Sequence, residues 1–127
     1  MFIQIEPQSD TPIYAQVTNG IMEGIVRSEL LPGDILPSVR SLAGDLGVNM
    51  HTVNKSYHEL ESKGVIRIVP KSGAVICSPS EGTIPPQRLN RISEALRPIL
   101  VESLVAGMSE AEIAELVASI ISNVKGD

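Results

Sequence analysis

Two helix boundaries crowded into three residues constrain this chain more than any other feature. Gly47 is placed to end one helix in a left-handed conformation and Asn49 to cap the next, which leaves only Val48 between them. Before this turn, Pro37 and Ser38 open a helix of about two turns, with Ser38 as its cap and Val39, Leu42, Ala43 and Leu46 inward. After it, Val53, Ser56, Tyr57 and Leu60 share one face, and Met50, His51, Asn54, Lys55 and His58 the other, until Gly64 stops the helix.

The flanking segments complete the pattern. Thr11 and Pro12 read as a helix start, Thr11 as the cap and Pro12 at the first helical position. Ile13, Val17, Ile21 and Ile25 then recur every fourth residue, which predicts an amphipathic helix running to about Leu30 before the Pro32-Gly33-Asp34 turn. Downstream, Val65-Ile66-Arg67-Ile68-Val69 is a β-branched run, Pro70-Lys71-Ser72-Gly73 a turn, and Ala74-Val75-Ile76-Cys77 a partner strand. Three helices followed by a hairpin is the order of a winged helix-turn-helix, predicted here over residues 10–77.

Ser78 to Gln87, with three prolines and two serines, reads as a linker. Residues 88–127 form a second organisation. Leu89, Ile92, Leu96 and Ile99 alternate spacings of three and four, with Leu100 and Leu104 widening the stripe, and Pro98 within it predicts a kink or break. Gly107 ends that helix. Ser109 and Glu112 form a capping box that starts a last helix, whose apolar positions include Ile113, Leu116, Val117, Ile120 and Ile121. Leaving so much apolar surface in water would cost several kcal/mol at about 25 cal/mol per Å². A second copy of the hairpin supplies the self-complementary cover, so the sequence predicts a homodimer. The fold class expected is mainly α with a small β-hairpin wing, plus a C-terminal two-helix dimerisation hairpin.

Composition narrows the function. The net charge is −5, which taken alone argues against a polyanionic partner. Between Leu36 and Cys77, however, five basic residues face three acidic ones, so the acid excess lies in the remainder of the chain. The three aromatics, Phe2, Tyr14 and Tyr57, leave almost nothing for stacking on single-stranded bases. The lone Cys77 cannot make an internal disulfide, the first residues lack the order of a secretory signal, and no apolar run reaches the length of a membrane span. The expectation is a cytoplasmic, nucleoid-associated protein with no membrane partner.

The residues that can read DNA follow from helix geometry. In a helix-turn-helix the amino-terminal turn of the second helix lies nearest the bases, here Asn49, Met50, His51 and Thr52, with Asn54 and Lys55 one turn on. Arg40 is the strongest candidate for a forked contact to guanine, since its planar group matches that base's two acceptors. Ser38, Lys71, Ser72 and Gly73, from the helix cap and the wing tip, are placed to hold phosphates. Met50 is equally suited to filling a gap or touching a thymine methyl. His51 and His58 sit seven residues apart, yet no further ligand set completes a metal site, so no metal or cofactor is expected. Cys77 reads as a small buried residue, with a redox link between protomers as the alternative. No nucleophile constellation or phosphate-binding glycine loop is present, so no catalytic residue is assigned and an enzyme is not expected.

At this point the chain resembles a known family. Leu36-Pro37-Ser38-Val39-Arg40-Ser41-Leu42-Ala43, Leu46-Gly47-Val48, Thr52-Val53, Tyr57, Leu60-Glu61 and Gly64-Val65-Ile66 are similar to the signature of the GntR-type regulators, and Pro12 to Val17 to its first helix. The short tail resembles that of the YtrA-type branch. The resemblance implies a bacterial repressor that occupies a palindromic operator as a dimer, often controlling an ABC transporter operon. The chain departs from the family where many members carry arginine in place of Met50 and Asn54, and where a wing tip with two glycines is reduced here to Lys71-Ser72-Gly73. The rival reading is a protein-interaction module that does not touch DNA; a sensor whose unknown small-molecule effector lies at the dimer interface is compatible with the DNA-binding one.

Overall fold

A computed structural model describes residues 3–79 and 84–126. Residues 80–83 of the expected linker lie outside the described residues, as do Phe2 and Asp127. The chain divides into two compact units, Met1–Pro79 and Ser80–Asp127.

The first unit holds α1 (Ile13–Val26), β1 (Ile35–Leu36), α2 (Val39–Leu46), α3 (Met50–Ser62), β2 (Ile66–Val69) and β3 (Gly73–Ile76). The expected cap on α1 is corrected: Pro12 occupies the cap position without a side-chain hydrogen bond, and Thr11 plays no such part. Gln16 secures the approach to the helix in another way. Its Nε2 donates to the carbonyls of Thr11 (2.8 Å) and Glu6 (3.0 Å), and its Oε1 accepts from the Glu6 N–H (2.8 Å), which ties the preceding segment to the helix. The helix also ends at Val26, a turn earlier than expected, because Ser28 turns into the left-handed region (φ 62°) and Leu30 folds back onto Gly24.

The turn between α2 and α3 forms as the sequence predicts. Ser38 Oγ accepts from the Ser41 N–H, Gly47 adopts φ 70° with its N–H on the Ala43 carbonyl, and Asn49 Oδ1 accepts from the His51 N–H at 2.7 Å. The wing hairpin is joined by a strand the sequence did not announce. The two residues of β1 pair antiparallel with β3 (Ile35 opposite Val75, Leu36 opposite Ala74), giving a three-stranded sheet in the order β1-β3-β2. Gly73 makes this close approach possible. A Cβ there would fall 2.0 Å from the Leu36 carbonyl oxygen, and its φ of 121° is one that side chains resist.

Val17 and Ile21 of α1, Leu42 of α2, Val53, Tyr57 and Leu60 of α3, and Ile66 and Ile76 of the sheet close a single aliphatic core around one aromatic ring. Where α1 crosses α3, Thr18 and Ser56 are buried and share a hydrogen bond of 2.8 Å. Thr18 Oγ1 donates its proton to the Tyr14 carbonyl, so Ser56 is the donor between the two hydroxyls. Two small polar side chains thus let the helices approach closely with neither left unsatisfied.

The second unit is a helical hairpin, α4 (Pro86–Val105) and α5 (Glu110–Lys125). The break expected at Pro98 does not occur: α4 runs through it as one helix. The missing N–H removes one hydrogen bond from a helix whose residues there are all solvent-exposed, so water can serve the carbonyl left over. The capping box is complete. Glu112 N–H donates to Ser109 Oγ (3.1 Å) and Ser109 N–H donates to Glu112 Oε1 (2.9 Å), and hydrogen bonding to the carboxylate from the Ser109 backbone first, and its side chain second, holds the Glu112 carboxyl below its usual range. No described residue of either helix is buried. No helix of the described residues is long and apolar enough to cross a membrane.

Candidate nucleic-acid interface

The amino-terminal turn of α3 is built to present polar groups outward. Asn49, Met50 and His51 are exposed, as are Asn54 and Lys55 on the next turn, whereas Thr52 is half-buried. Asn49 spends its carbonyl oxygen on the helix cap, so its two amide protons remain to donate. No acidic residue lies in the first turn of α3 to cancel the positive end of the helix dipole. Arg40, in the first turn of α2, is exposed and, among the described residues, is in no ion pair; the same holds for Lys55, Arg67 and Lys71. Arg27 with Glu23 and Lys63 with Glu59 form ion pairs that bridge successive turns of their own helices on the surface.

Three contacts that sequence reasoning missed fix this face to the rest of the unit. The hydroxyl of Tyr57, deep on α3, donates to the Pro37 carbonyl at 2.7 Å and so ties the recognition helix to the residue before the α2 cap. Burial pushes that phenol up to about 12. Glu61, at the other end of α3, accepts from the Ile68 N–H at 2.8 Å, which fastens the helix to the outer strand of the wing. Lys55 places its ammonium 4.0 Å from the centre of the Tyr14 ring on α1. The partners lie 20, 7 and 41 residues apart, a separation at which neither periodicity nor capping rules apply.

The wing tip departs from its simplest reading. Lys71 and Ser72 are exposed, but Gly73 is buried beneath the Leu36 carbonyl, so its evident role is to let β1 join the sheet rather than to meet a ligand. The tight turn survives the loss of the first glycine. Ser72 N–H reaches the Val69 carbonyl at 3.0 Å, with Pro70 second in the turn and Lys71 third at φ 68°, a position that ordinarily takes glycine. Ser38 is half-buried; its oxygen accepts from Ser41, which leaves its proton free to donate outward. Cys77 is half-buried rather than fully enclosed. Among the described residues no group of His, Cys, Asp or Glu is arranged to hold a metal ion.

Most of the apolar residues of the hairpin are exposed. Leu89, Ile92, Leu96, Ile99 and Leu104 on α4 and Leu116, Val117, Ile120 and Ile121 on α5 are all exposed, between 41% and 60%, while Leu100 and Ile113 are half-buried.

Comparison with known proteins agrees with this geometry. Residues 13–76 match the family described as bacterial regulatory proteins, gntR family. The HTH-type transcriptional repressor YtrA of Bacillus subtilis is 36% identical over 124 residues, spanning 98% of this chain and 95% of that protein. A crystal structure of a transcriptional antiterminator from Listeria monocytogenes is similar with a TM-score of 0.88 at 31% identity, covering 100% of this chain and 94% of that one. YtrA from Sulfolobus acidocaldarius, a GntR-family transcription factor, is similar with a TM-score of 0.65 at 42% identity over 81% of this chain and 97% of its own. The chain therefore belongs to the GntR family of helix-turn-helix, DNA-binding transcriptional regulators, with a close relationship to the YtrA branch.

Proposed function

We propose that this regulator is a repressor that occupies a palindromic operator as a homodimer, with α4 and α5 of two copies forming the junction. The observation that carries the reading is the contrast within one chain. The first unit encloses a core of apolar residues and leaves Arg40, Asn49, His51 and Asn54 facing solvent, while the hairpin leaves most of its apolar residues facing solvent and buries none of those described. Surface of that kind marks an interface, and a second copy of the same hairpin covers it with twofold symmetry. Two recognition helices related by that axis would read a site with matching symmetry. In this reading the paired C-terminal hairpin sets half-site spacing, and Ser38, Lys55, Lys71 and Ser72 hold phosphates while Arg40 and the α3 tip touch bases. The controlled genes are proposed, from the relationship to the YtrA branch, to include those of an ABC transporter.

A mobility-shift assay on the region upstream of the chain's own operon tests this. A palindromic site should shift, scrambled duplex should shift far less, and Arg40→Ala should weaken the specific complex by about 1 to 3 kcal/mol. Equal affinity for scrambled duplex, or affinity indifferent to salt, would overturn the reading and favour a protein partner.

A further inference from the structure

We infer that Tyr14 of α1 is a positioning residue for DNA binding, which holds the Lys55 ammonium in place to meet a backbone phosphate. The inference rests on the DNA-binding reading and adds to it a residue outside the recognition helix. Lys55 is exposed on α3, one turn beyond the tip, and its Nζ sits 4.0 Å from the Tyr14 ring centre. Among the described residues no carboxylate pairs with it.

The chemistry of that partner is what matters. A carboxylate would orient the lysine equally well, but it would neutralise the charge and repel an approaching phosphate. An aromatic face attracts the cation through its quadrupole and leaves the full positive charge available. The ring also blocks one side of the ammonium, so its remaining N–H donors point away from α1. A free lysine must give up rotamer freedom when it grips a phosphate, and Tyr14 meets part of that cost before DNA arrives. Tyr14 is itself held. It is half-buried, and the helix that carries it is fixed to α3 by the Thr18–Ser56 hydrogen bond at the crossing, one turn from Tyr14.

The test measures affinity of the full-length protein for a mixed-sequence duplex by fluorescence anisotropy over a series of salt concentrations. Lys55→Ala should flatten the slope of log K against log salt by about 0.9, the loss of one phosphate contact. Tyr14→Leu should weaken binding roughly 5-fold, within the range set by ordering one long side chain, whereas Tyr14→Phe, which keeps the ring face, should match the parent. Tyr14→Leu in the Lys55→Ala background should cost nothing further. Independent losses that multiply, or a phenylalanine variant as weak as the leucine one, would overturn the inference. Should the leucine variant fail to fold, proton NMR of the parent decides: ring-current upfield shifts at the Lys55 ε-methylene, retained when duplex is added, are expected, and ordinary lysine shifts would refute the contact. A parent that binds no duplex defeats the DNA reading itself, whereas a parent that binds normally with Tyr14 independent of Lys55 defeats only this inference.

Discussion

The two units of this chain draw on similar aliphatic side chains and put them to opposite use. In Met1–Pro79 the helices and the sheet form two layers, so that the apolar face of each element meets another and residues such as Val17, Val53 and Leu60 are fully enclosed. In Ser80–Asp127 there is one layer of two helices, and not one described residue is buried. Two cylinders touch along a line, so each shields only a narrow strip of the other. Helix patterning therefore specifies a face, and only a further layer turns a face into a core.

The sharpest way to break this comparison is to make the same kind of deletion in both units. Leu60→Ala should cost about 3 kcal/mol, read as a loss of urea stability that does not depend on protein concentration. Leu96→Ala, 47% exposed in the isolated chain, should change little at high dilution and shift the self-association midpoint measured by analytical ultracentrifugation. Equal effects of both on a dilute sample would mean the hairpin has a core of its own.

A smaller effect separates stability from function inside the first unit. Lys71 holds a left-handed turn position at a cost of about 1 kcal/mol. Lys71→Gly should therefore raise the melting temperature while weakening DNA binding and lowering its salt dependence. A variant that gained in both would show that the lysine contributes nothing at the wing tip.

The smallest effect belongs to the hairpin. Glu112 has its pKa lowered by the two Ser109 hydrogen bonds, so the charged form stabilises the folded helix. That contribution is fully present above the ordinary glutamate value of 4.5 and is lost as pH falls through the lower folded value. Circular dichroism should show helix fraying in that acid range, and Ser109→Ala, which loses the hydroxyl but keeps the backbone N–H that bonds the carboxylate, should lose part of that helicity already at neutral pH and show a smaller acid step.

Which features the sequence disclosed follows from how far apart the interacting groups lie. Ser38, Gly47, Asn49 and the Ser109–Glu112 box act within a few residues, and their chemistry is readable from local order. Strand β1 was missed because two residues carry no alternation, and its existence depends on the absence of a side chain at Gly73, 37 residues past Leu36. Thr11 was read as a cap because its type fits, yet Pro12 takes the cap position and no side chain bonds a first-turn N–H. At Pro98 a local rule overstated its force, since a helix in water tolerates one missing bond. At the interface, Arg40 and the α3 tip were visible as residue types in a known register, whereas the contacts of Tyr14, Tyr57 and Glu61 arise only once the helices cross.

The bond from Glu61 to the Ile68 N–H has a bearing on assembly as well as on rigidity. The lateral rims of a small sheet are templates for unwanted zipping between chains, and proteins that bring copies together raise that hazard by crowding. Here one rim is a strand of two residues, too short to recruit a neighbour, and the other carries a negative charge seated on its outward amide. Copies of this chain can thus be concentrated without polymerising through their wings.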